Sequence, residues 1–344
     1  MIRRLYSPLH QLTRAVRFQK DTPLATPLNQ RLTTLRHGFR SSRYILYDFE
    51  QNDPKAYLPD TVFREATAIN GTFCRRVLED KLLFTRFFGD IFKVPEVFAL
   101  VERGRFYPLT AQHTFSDLLS AYGGAILKPV LGWQGQGILS VSEENGKLSV
   151  NGRPSSLSAL EQTLGQLDGY LVTERIVQDG YAHTIFPGSV NSVRVTTMQH
   201  PDENHRPFSA VAVHRFGSST TGPTDNVHRG GLMAQINLET GTMGPAIGFP
   251  HETGGELRGC SHHPDTGAPI ENVRVPGWDA LQTRLLRLIE TFPFFRYVGW
   301  DIVLTQDVCW LIEGNHNPSP AVQMFHPYLG DPEIRRFFEF YGVI

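Results

Sequence analysis

Three residues in the segment GWDIVLTQDVCWLIEGNHNP, at positions 299–318, carry the oxygen-bearing side chains that hard metal ions prefer. They are Asp301, Glu313 and Asn315, and they lie near the ends of two apolar stretches that alternate like β-strands around a short turn. Glu313 and Asn315 are two residues apart, so a strand places them on one face. Polar residues at strand ends are also common on surfaces, so this segment alone leaves both interpretations open.

The length of the turn decides whether Asp301 joins that face. A three-residue loop over residues 306–308 pairs Thr305 with Cys309 and sets Asp301 opposite Glu313, whereas a two-residue loop sends the Asp301 side chain to the other face. We therefore expect a turn with an odd number of residues. Two carboxylates at cross-strand distance repel each other, and a bound Mg²⁺ would relieve that repulsion.

A glycine-rich loop follows Lys128 in the stretch ILKPVLGWQGQGILSV. The pattern predicts a strand that ends near Lys128, a loop that contains Gly132, Gly135 and Gly137, and a second strand. Glycines let backbone N–H groups approach phosphate closely, and a lysine adds a compact positive charge. The spacing matches neither a P-loop nor a dinucleotide-binding fingerprint. Two interpretations stay open, a phosphate-binding hairpin and an ordinary glycine-rich hairpin.

Two further stretches combine a charged residue with the end of an element. Lys81 in LEDKLLF follows Asp80, which would act as the N-cap of a helix, and an exposed helix lysine is the simpler interpretation. Glu174 and Arg175 come at the end of the strand predicted for YLVTERIV. Where a strand becomes irregular, unpaired backbone groups can bind the edge of an adenine ring, but an exposed ion pair would give the same pattern.

The segment GSVNSVRVTT places Asn191 just before a strand. Period-2 alternation sets Arg194 and Thr196 on one face, and Arg194 lies between two valines, so its guanidinium should be half-buried. A guanidinium in that position needs a carboxylate or a phosphate as a partner. A structural ion pair and a phosphate site are both compatible with the pattern.

Two loops in the second half of the chain are rich in turn-forming residues. TDNVHRGGLMAQI contains Asp225, Asn226, Gly230 and Gly231 and predicts either a turn or an anion-binding nest. GCSHHPDTG brings one cysteine, two histidines and one aspartate together, but their spacing matches no zinc pattern. A tight turn at the end of a hairpin explains the second loop better.

Composition limits the class of protein. The chain has 344 residues, a formal net charge of −1 and 40% hydrophobic residues, which is typical of a globular protein with a sizeable core. The near-neutral charge argues against nucleic acid as a partner. Three scattered cysteines favour a reducing compartment, so we expect a cytoplasmic protein. No apolar run reaches the roughly 18 residues that a membrane span needs.

The first 43 residues differ from the rest because they are rich in arginine and contain a single acid, Asp21. MIRRLYSPLHQLTRAVRF has apolar residues at helical spacing opposite its arginines. Such a basic amphipathic helix would pack on the domain, rest on the inner membrane as a peripheral contact, or act as a transit peptide. The pattern does not choose among these.

Strands and helices alternate irregularly along the chain. TVFREATAINGTFCRRVLEDKLLFTRFFGDI predicts helices broken at Asn70-Gly71, and GWDALQTRLLRLIETF predicts an amphipathic helix just before Gly299. Short strands occupy the middle, and longer strands follow a boundary near Glu174. This order predicts an α+β protein with two subdomains.

Taken together, these motifs resemble the ATP-grasp superfamily. Lys81 in EDK is similar to the family's first lysine, Lys128 before GWQGQG to its second, Glu174 to the acid that begins the adenine hinge, and Asp301, Glu313 and Asn315 to its D…E-x-N metal ligands. SVNSVRVTT, DNVHRGGL and GWDIVLT…LIEGNHNP resemble more narrowly the sugar-transfer-associated ATP-grasp group, which is linked to surface-polysaccharide synthesis. The resemblance covers roughly residues 43–328. Trp133 and Gln134 in the glycine loop, and Arg175 after the hinge acid, depart from the pattern.

The resemblance implies a fold in which two α+β subdomains clasp ATP, with a basic helical segment at residues 1–80, an N-subdomain at 81–175 and a C-subdomain at 176–344. It also implies the ligands of ATP and of one or two Mg²⁺ ions, with Mn²⁺ as an alternative. The implied residues are Lys81, Lys128, Gly132, Gly135, Gly137, Glu174, Arg175 and Ile176 for ATP, and Asp301, Glu313 and Asn315 for the metal.

The activity that the resemblance implies is a carboxylate–amine ligase that works through an acyl phosphate. Arg194 would be catalytic, and the substrate or phosphate would contact Asn191, Asp225, Asn226, Gly230 and Gly231. The partners would be a small-molecule carboxylate and an amine, on a sugar or amino-acid precursor. A phosphotransferase that uses the same site, and a nucleotide-binding scaffold without turnover, are the alternatives.

Overall fold

The computed structural model describes residues 26–111, 114–132, 136–200, 204–248 and 259–344. The predicted basic helix at the start of the chain and Gly135 lie outside these ranges. The helices are α1 (Leu28–Arg36), α2 (Arg43–Leu46), α3 (Phe63–Thr67), α4 (Gly71–Glu79), α5 (Lys81–Phe88), α6 (Phe115–Tyr122), α7 (Leu157–Leu164), α8 (Gly180–Ile185), α9 (Trp278–Thr291) and α10 (Pro332–Phe340). None of these described helices is long and apolar enough to cross a lipid bilayer.

The first sheet is antiparallel and has the strand order β2-β1-β7-β3-β4-β5-β6. Helices α6 and α7 supply Leu118, Leu119, Leu160 and Leu164 to the core on one side of this sheet. The glycine-rich loop connects β3 to β4, as predicted. The strands are β1 (Val97–Glu102), β2 (Arg105–Pro108), β3 (Gly124–Pro129), β4 (Leu139–Glu144), β5 (Lys147–Val150), β6 (Arg153–Pro154) and β7 (Tyr170–Thr173).

The second sheet is also antiparallel and has the order β12-β11-β10-β9-β8-β13-β14. Its central strands are buried on both faces. The strands are β8 (Val193–Gln199), β9 (Pro207–Phe216), β10 (Leu232–Ile236), β11 (Met243–Gly248), β12 (Gly259–Cys260), β13 (Tyr297–Leu304) and β14 (Cys309–Asn315). Two sheets with interspersed helices confirm the predicted α+β class.

Helices cover both faces of the second sheet. On one face α9 buries Trp278, Leu281, Leu285 and Leu288, whose spacing of three to four residues forms one apolar stripe. Helices α4 and α5 add Leu78, Phe84 and Phe88 to the same core. The helix that begins at Lys81 therefore packs with the second sheet. The expected subdomain bounds at residues 80 and 175 stay a prediction.

The β13–β14 hairpin corrects the expected turn. Leu304 pairs with Cys309, so the loop contains the four residues 305–308, and the expectation of an odd-numbered turn is wrong. Asp301 nevertheless pairs with Glu313, as predicted, because the register shifts between Asp301 and Ile302. Ile312 is the extra residue of this β-bulge. With a four-residue loop and regular pairing, Asp301 would lie opposite Ile312. The extra residue shifts the pairing by one, so that Asp301 lies opposite Glu313 and on the same face.

Trp300 fixes the strand that carries Asp301. Its side chain is fully buried on the opposite face of β13, and its Nε1 donates a hydrogen bond to Thr197 Oγ1 at 2.9 Å. The indole meets the rings of Phe88 and Phe295 edge to face at 5.4 and 6.0 Å. Such contacts add to the burial energy of a large aromatic side chain.

We expect Trp300→Ala to lower the free energy of unfolding by about 3–5 kcal/mol, because it leaves a cavity and an unpaired hydroxyl in this core. Urea denaturation measures the loss. The matched control is Phe73→Ala, since Phe73 is 60% exposed, and we expect a change of about 0.5 kcal/mol or less. Equal losses in the two variants would show that β13 is not anchored by Trp300.

Candidate active site

The three predicted metal-binding side chains lie together at the β13–β14 pair. Asp301 and Glu313 are direct cross-strand partners. Asn315 Nδ2 lies 3.4 Å from Asp301 Oδ2 and 3.4 Å from the carbonyl oxygen of Gly299. The amide nitrogen therefore points toward Asp301, and among the described residues no hydrogen bond reaches the amide oxygen.

Asp301 is held by two arginines. Arg194 Nε and Nη2 donate to its two carboxylate oxygens at 2.6 Å each, and Arg215 Nη2 lies 3.1 Å from Oδ2. Burial alone would raise the pKa of Asp301, but the charges of Arg194 and Arg215 outweigh burial and hold the pKa below its usual value. The partner that the sequence required for Arg194 is thus a carboxylate of the candidate metal site.

Glu313 lies in a different electrostatic environment. Within the described ranges its carboxylate forms neither a hydrogen bond nor an ion pair. Burial and the neighbouring charge of Asp301 raise its pKa, and the charges of Lys81, Arg194 and Lys128 offset only part of that rise. A partly buried carboxylate without a direct partner loses hydration without compensation, and a bound cation would offset that cost.

Two lysines approach Glu313 from different elements. Lys81 is the first residue of α5, and the Asp80 carboxylate caps this helix by accepting from the N–H groups of Leu82 and Leu83 at 2.9 and 3.0 Å. The Lys81 ammonium donates to the carbonyl of Gly132 at 2.8 Å, so it turns to the glycine loop instead of to bulk solvent. Burial and the positive charge of Lys81 lower the pKa of Lys128 to about 8.

The described part of the glycine loop has one position that requires glycine. Gly137 has φ +74°, and a Cβ there would lie 2.6 Å from the Tyr170 hydroxyl. Gly132 has no such strain, since a Cβ would meet only Pro129 at 3.4 Å. The loop is joined to α5 by the hydrogen bond from Lys81 N to the Val130 carbonyl at 3.1 Å.

The predicted adenine hinge begins where β7 ends. The Glu174 carboxylate accepts from Glu96 N at 3.1 Å and lies 3.9 Å from Lys93 Nζ, so this side chain pairs within the protein. Arg175 lies 4.0 Å from Glu144. Residues 175–177, which include Ile176, have no regular structure, and among the described residues they form no backbone hydrogen bond. This backbone is available to a ligand.

Asn191 has a structural role. Its Nδ2 donates to the carbonyls of Ala182 and Phe186 at 2.9 and 2.7 Å, and its Oδ1 accepts from Ser189 Oγ and Gly217 N at 2.9 and 3.1 Å. These four bonds use the whole capacity of the amide, and the residue is 1% exposed. We therefore leave Asn191 out of the site, although its position before β8 suggested a ligand.

Asp225, Asn226, Gly230 and Gly231 belong to one loop, residues 217–231. The Asp225 carboxylate accepts from Ser192 N at 2.9 Å and also from Ser192 Oγ. Asn226 Oδ1 accepts from His228 N at 2.9 Å and so begins a 3-10 turn.

Gly230 and Gly231 shape the return of this loop to the sheet. Gly230 has φ +95°, a backbone conformation that residues with a side chain rarely adopt. A Cβ on Gly231 would lie 2.9 Å from the Phe216 carbonyl. The loop is therefore a defined structure beside β9, and its Asp225 carboxylate lies 3.4 Å from Arg215 Nε.

Arg215 is the site residue that the sequence motifs missed. It lies on β9 between the buried residues His214 and Phe216, and its guanidinium contacts Ser192 and Asp301. The signal was available, since an arginine inside the alternating strand FSAVAVHRF must point away from the core that His214 and Phe216 face.

The HHPDTG stretch forms a turn, as predicted, and it supports the 217–231 loop. His263 Nε2 lies 2.8 Å from the Gly217 carbonyl, and the Asp265 carboxylate accepts from Ser219 N at 2.8 Å. In the part of the chain that the structure describes, no three His, Cys, Asp or Glu side chains form a group that could hold a metal ion. Asp301, Glu313 and Asn315 form a different kind of group, because they combine two carboxylates with an amide.

The donor set at β13–β14 fits Mg²⁺. It consists of oxygen atoms, it includes the unpaired Glu313 carboxylate and the free amide oxygen of Asn315, and it contains no sulfur or imidazole. Asp301 is the weaker candidate because Arg194 and Arg215 already engage its oxygens. Mn²⁺ accepts the same oxygen donors.

Solved structures provide a comparison for the fold. D-alanyl-alanine synthetase A from Vibrio cholerae gives a TM-score of 0.43 at 11% identity, over 77% of this chain and 64% of that chain. D-alanine–D-alanine ligase from Bacillus anthracis gives 0.37 at 11% identity, over 70% and 57%. The RimK domain protein ATP-grasp from Sphaerobacter thermophilus gives 0.41 at 13% identity, over 76% and 68%. The chain spans less than two thirds of the length of the first two.

Sequence comparison is more specific. No curated protein matches the chain. The family model described as sugar-transfer associated ATP-grasp matches residues 66–327, a range that includes both sheets, both lysines and the β13–β14 hairpin. The chain belongs to the sugar-transfer associated ATP-grasp family and has the ATP-grasp fold.

Proposed function

We propose that the chain is an ATP- and Mg²⁺-dependent ligase that joins a carboxylate to an amine through an acyl phosphate. The observation that carries this proposal is the cross-strand pair of the buried Asp301 and the partly buried Glu313, whose carboxylates interact electrostatically with Lys81, Lys128 and Arg194. Hard oxygen donors beside two ammonium groups suit a metal–phosphate complex better than either a metal or an anion alone. Membership of an ATP-grasp family supports the nucleotide as the phosphate source.

The two lysines and the glycine loop would bind the phosphates. Lys81 and Lys128 supply positive charge, and the backbone of Gly132, Gly135 and Gly137 would close over the chain of phosphates. The hinge formed by Glu174, Arg175 and Ile176 would bind the adenine edge through the free backbone groups of residues 175–177. The Glu174 carboxylate would keep its own partner, Glu96 N.

The metal would be held by Glu313 and Asn315, with Asp301 as the third oxygen donor. Bound Mg²⁺ would neutralise charge on the phosphates during transfer. Asp301 also aligns the Arg194 guanidinium by a bidentate contact through Nε and Nη2, which leaves Nη1 as a donor for a bound group. Arg194 would stabilise the negative charge that develops on the transferred phosphoryl group and on the tetrahedral intermediate.

The reaction would proceed in two steps. A carboxylate oxygen of the first substrate attacks the γ-phosphorus of ATP, and the bond to the β-phosphate oxygen breaks, which yields an acyl phosphate and ADP. The amine then attacks the acyl carbon, and the intermediate collapses with loss of phosphate and of the amine proton. Asp225, Asn226, Gly230 and Gly231 would lie near the acceptor, beside Arg194 and Arg215.

The family description supports a chemical class for the substrates. A sugar-transfer association favours a sugar or amino-acid precursor of a surface polysaccharide as the carboxylate or the amine. A screen of amino acids and uronic acids for stimulated phosphate release would identify the pair.

We expect free phosphate and ADP only when a carboxylate and an amine are both present. Glu313→Gln should lower this turnover by at least about 100-fold, because it removes the unpaired metal ligand. Coupled phosphate and ADP assays measure both. If the γ-phosphate instead appears on a hydroxyl of one substrate without any amine, the phosphotransferase alternative is correct. If Glu313→Gln leaves ATP turnover unchanged, the enzyme proposal fails.

The same substitution should stabilise the metal-free protein. The folded-state pKa of Glu313 is raised, so its ionised form weakens the fold at pH values above its unfolded-state pKa. Glu313→Gln should therefore raise the free energy of unfolding at pH 7, and the difference should disappear as the pH falls well below about 4, where Glu313 becomes protonated in both states. Thermal melts with Glu339→Gln, an exposed control, measure the effect. A less stable variant at pH 7 would contradict it.

Nucleotide affinity should depend on the charge of Lys128. Its pKa of about 8 means that the free site loses this charge between pH 7 and 9. The Kd for ADP with Mg²⁺ should therefore rise up to about 10-fold over this range, since the charged fraction falls by that factor. Lys128→Met should bind weakly and without this pH dependence, and the exposed control Lys147→Met should behave like the original chain. A Kd that is constant from pH 7 to 9 in the original chain would contradict the role of Lys128.

A further inference from the structure

Arg215 connects three elements that meet at the candidate site. Its Nε and Nη2 donate to Ser192 Oγ at 3.1 and 2.5 Å, just before β8 begins. Nε lies 3.4 Å from Asp225 Oδ2 in the 217–231 loop, and Nη2 lies 3.1 Å from Asp301 Oδ2 on β13. One guanidinium therefore contacts a loop carboxylate and a strand carboxylate at the same time.

The geometry depends on the shape of the guanidinium. Its N–H donors are fixed in one plane, and in this orientation Nε lies near the Asp225 carboxylate while Nη2 lies near the Asp301 carboxylate. A lysine ammonium in its place would keep the charge but would be a single point, and it could not hold both contacts at once. The Arg215 side chain is 14% exposed and Asp301 is 3% exposed, so water replaces these contacts poorly.

The two ends of the 217–231 loop are held differently. Its first residues are fixed from outside the site by His263 on the Gly217 carbonyl and by Asp265 on Ser219. Further along, Asp225 is held by Ser192 and Arg215. The same Arg215 guanidinium therefore contacts both Asp225 of this loop and Asp301 of β13.

We propose that Arg215 is a positioning residue that couples the 217–231 loop to the metal-side carboxylate Asp301, so that nucleotide and metal in the site order the loop. The coupling rests on the proposed function, because it requires nucleotide and metal to bind beside Asp301. A bound cation and bound phosphates change the charge around Asp301 and therefore the position of the Arg215 guanidinium. Because Arg215 also contacts Asp225, the contact that holds the loop changes with it. The loop that would face the acceptor is then ordered only after the nucleotide is in place.

Hydrogen–deuterium exchange of the full chain, with and without ADP and Mn²⁺, tests this coupling. Without ligand, Arg215→Met should speed exchange of the amides in residues 217–231 about 10-fold, because the loop loses its inner anchor. Asp225→Asn removes the other partner of this contact and should speed exchange by the same factor. In the double variant the exchange rate should be little higher than in either single variant. The control Arg274→Met removes an exposed ion pair with Asp279 and should change nothing in this loop.

The ligand arm separates coupling from simple support. In the original chain ADP with Mn²⁺ should slow exchange in residues 217–231. In Arg215→Met the ligands should still bind, as calorimetry reports, but this slowing should be lost. Arg215→Lys should also lose it, since the charge remains but the fork does not. A loop that is merely supported by Arg215 would still be slowed by ligand in both variants, and that result would overturn the proposal.

These measurements distinguish a failure of the proposed ligase function from a failure of the Arg215 coupling alone. If the original chain binds no ADP with Mn²⁺, the proposed function and the coupling both fall. If binding is normal and loop exchange in Arg215→Met matches the original chain without ligand, Arg215 is not an anchor and this inference alone falls. Should Arg215→Met fail to fold, Asp225→Asn and Arg215→Lys carry the same comparisons.

Discussion

Two carboxylates held opposite each other, one buried and one partly buried, are the constraint on which the site depends. Asp301 and Glu313 are cross-strand partners, and because Asp301 is 2% exposed, water screens their repulsion less than it would on an open surface. The protein resolves this by giving them opposite environments. Arg194 and Arg215 neutralise Asp301, and Glu313 is left for a ligand. The pKa values of the two acids consequently move in opposite directions from their usual values.

This arrangement requires a distortion of the strand. An even-numbered loop joins β13 to β14, and regular pairing beyond it would oppose Asp301 to Ile312. The bulge at Ile312 brings Glu313 back to the face of Asp301, and the packing of Trp300 on the other face keeps β13 in place while its partner bends. The core thus supplies the stability that the paired acids remove, as is common at functional sites.

The sequence predicted the features that local rules control. Asp80 as a cap, Lys81 at the start of a helix and the pairing of Asp301 with Glu313 follow from capping preference and period-2 alternation. The bulge could not be predicted, because a one-residue register shift leaves no mark in composition. The role of Asn191 was also hidden, since its four partners lie on segments that only tertiary structure brings together.

The charges of the site show why metal and nucleotide should bind together. Four cations meet three carboxylates, which leaves a net charge of about +1 (4 − 3) when all are ionised. These groups are Lys81, Lys128, Arg194 and Arg215 against Asp225, Asp301 and Glu313. A divalent cation that binds alone would be repelled by the four positive groups. A polyphosphate that binds alone would be repelled by the Glu313 carboxylate. Each ligand removes the repulsion that the other one meets, so the apparent affinity for either should rise in the presence of the other.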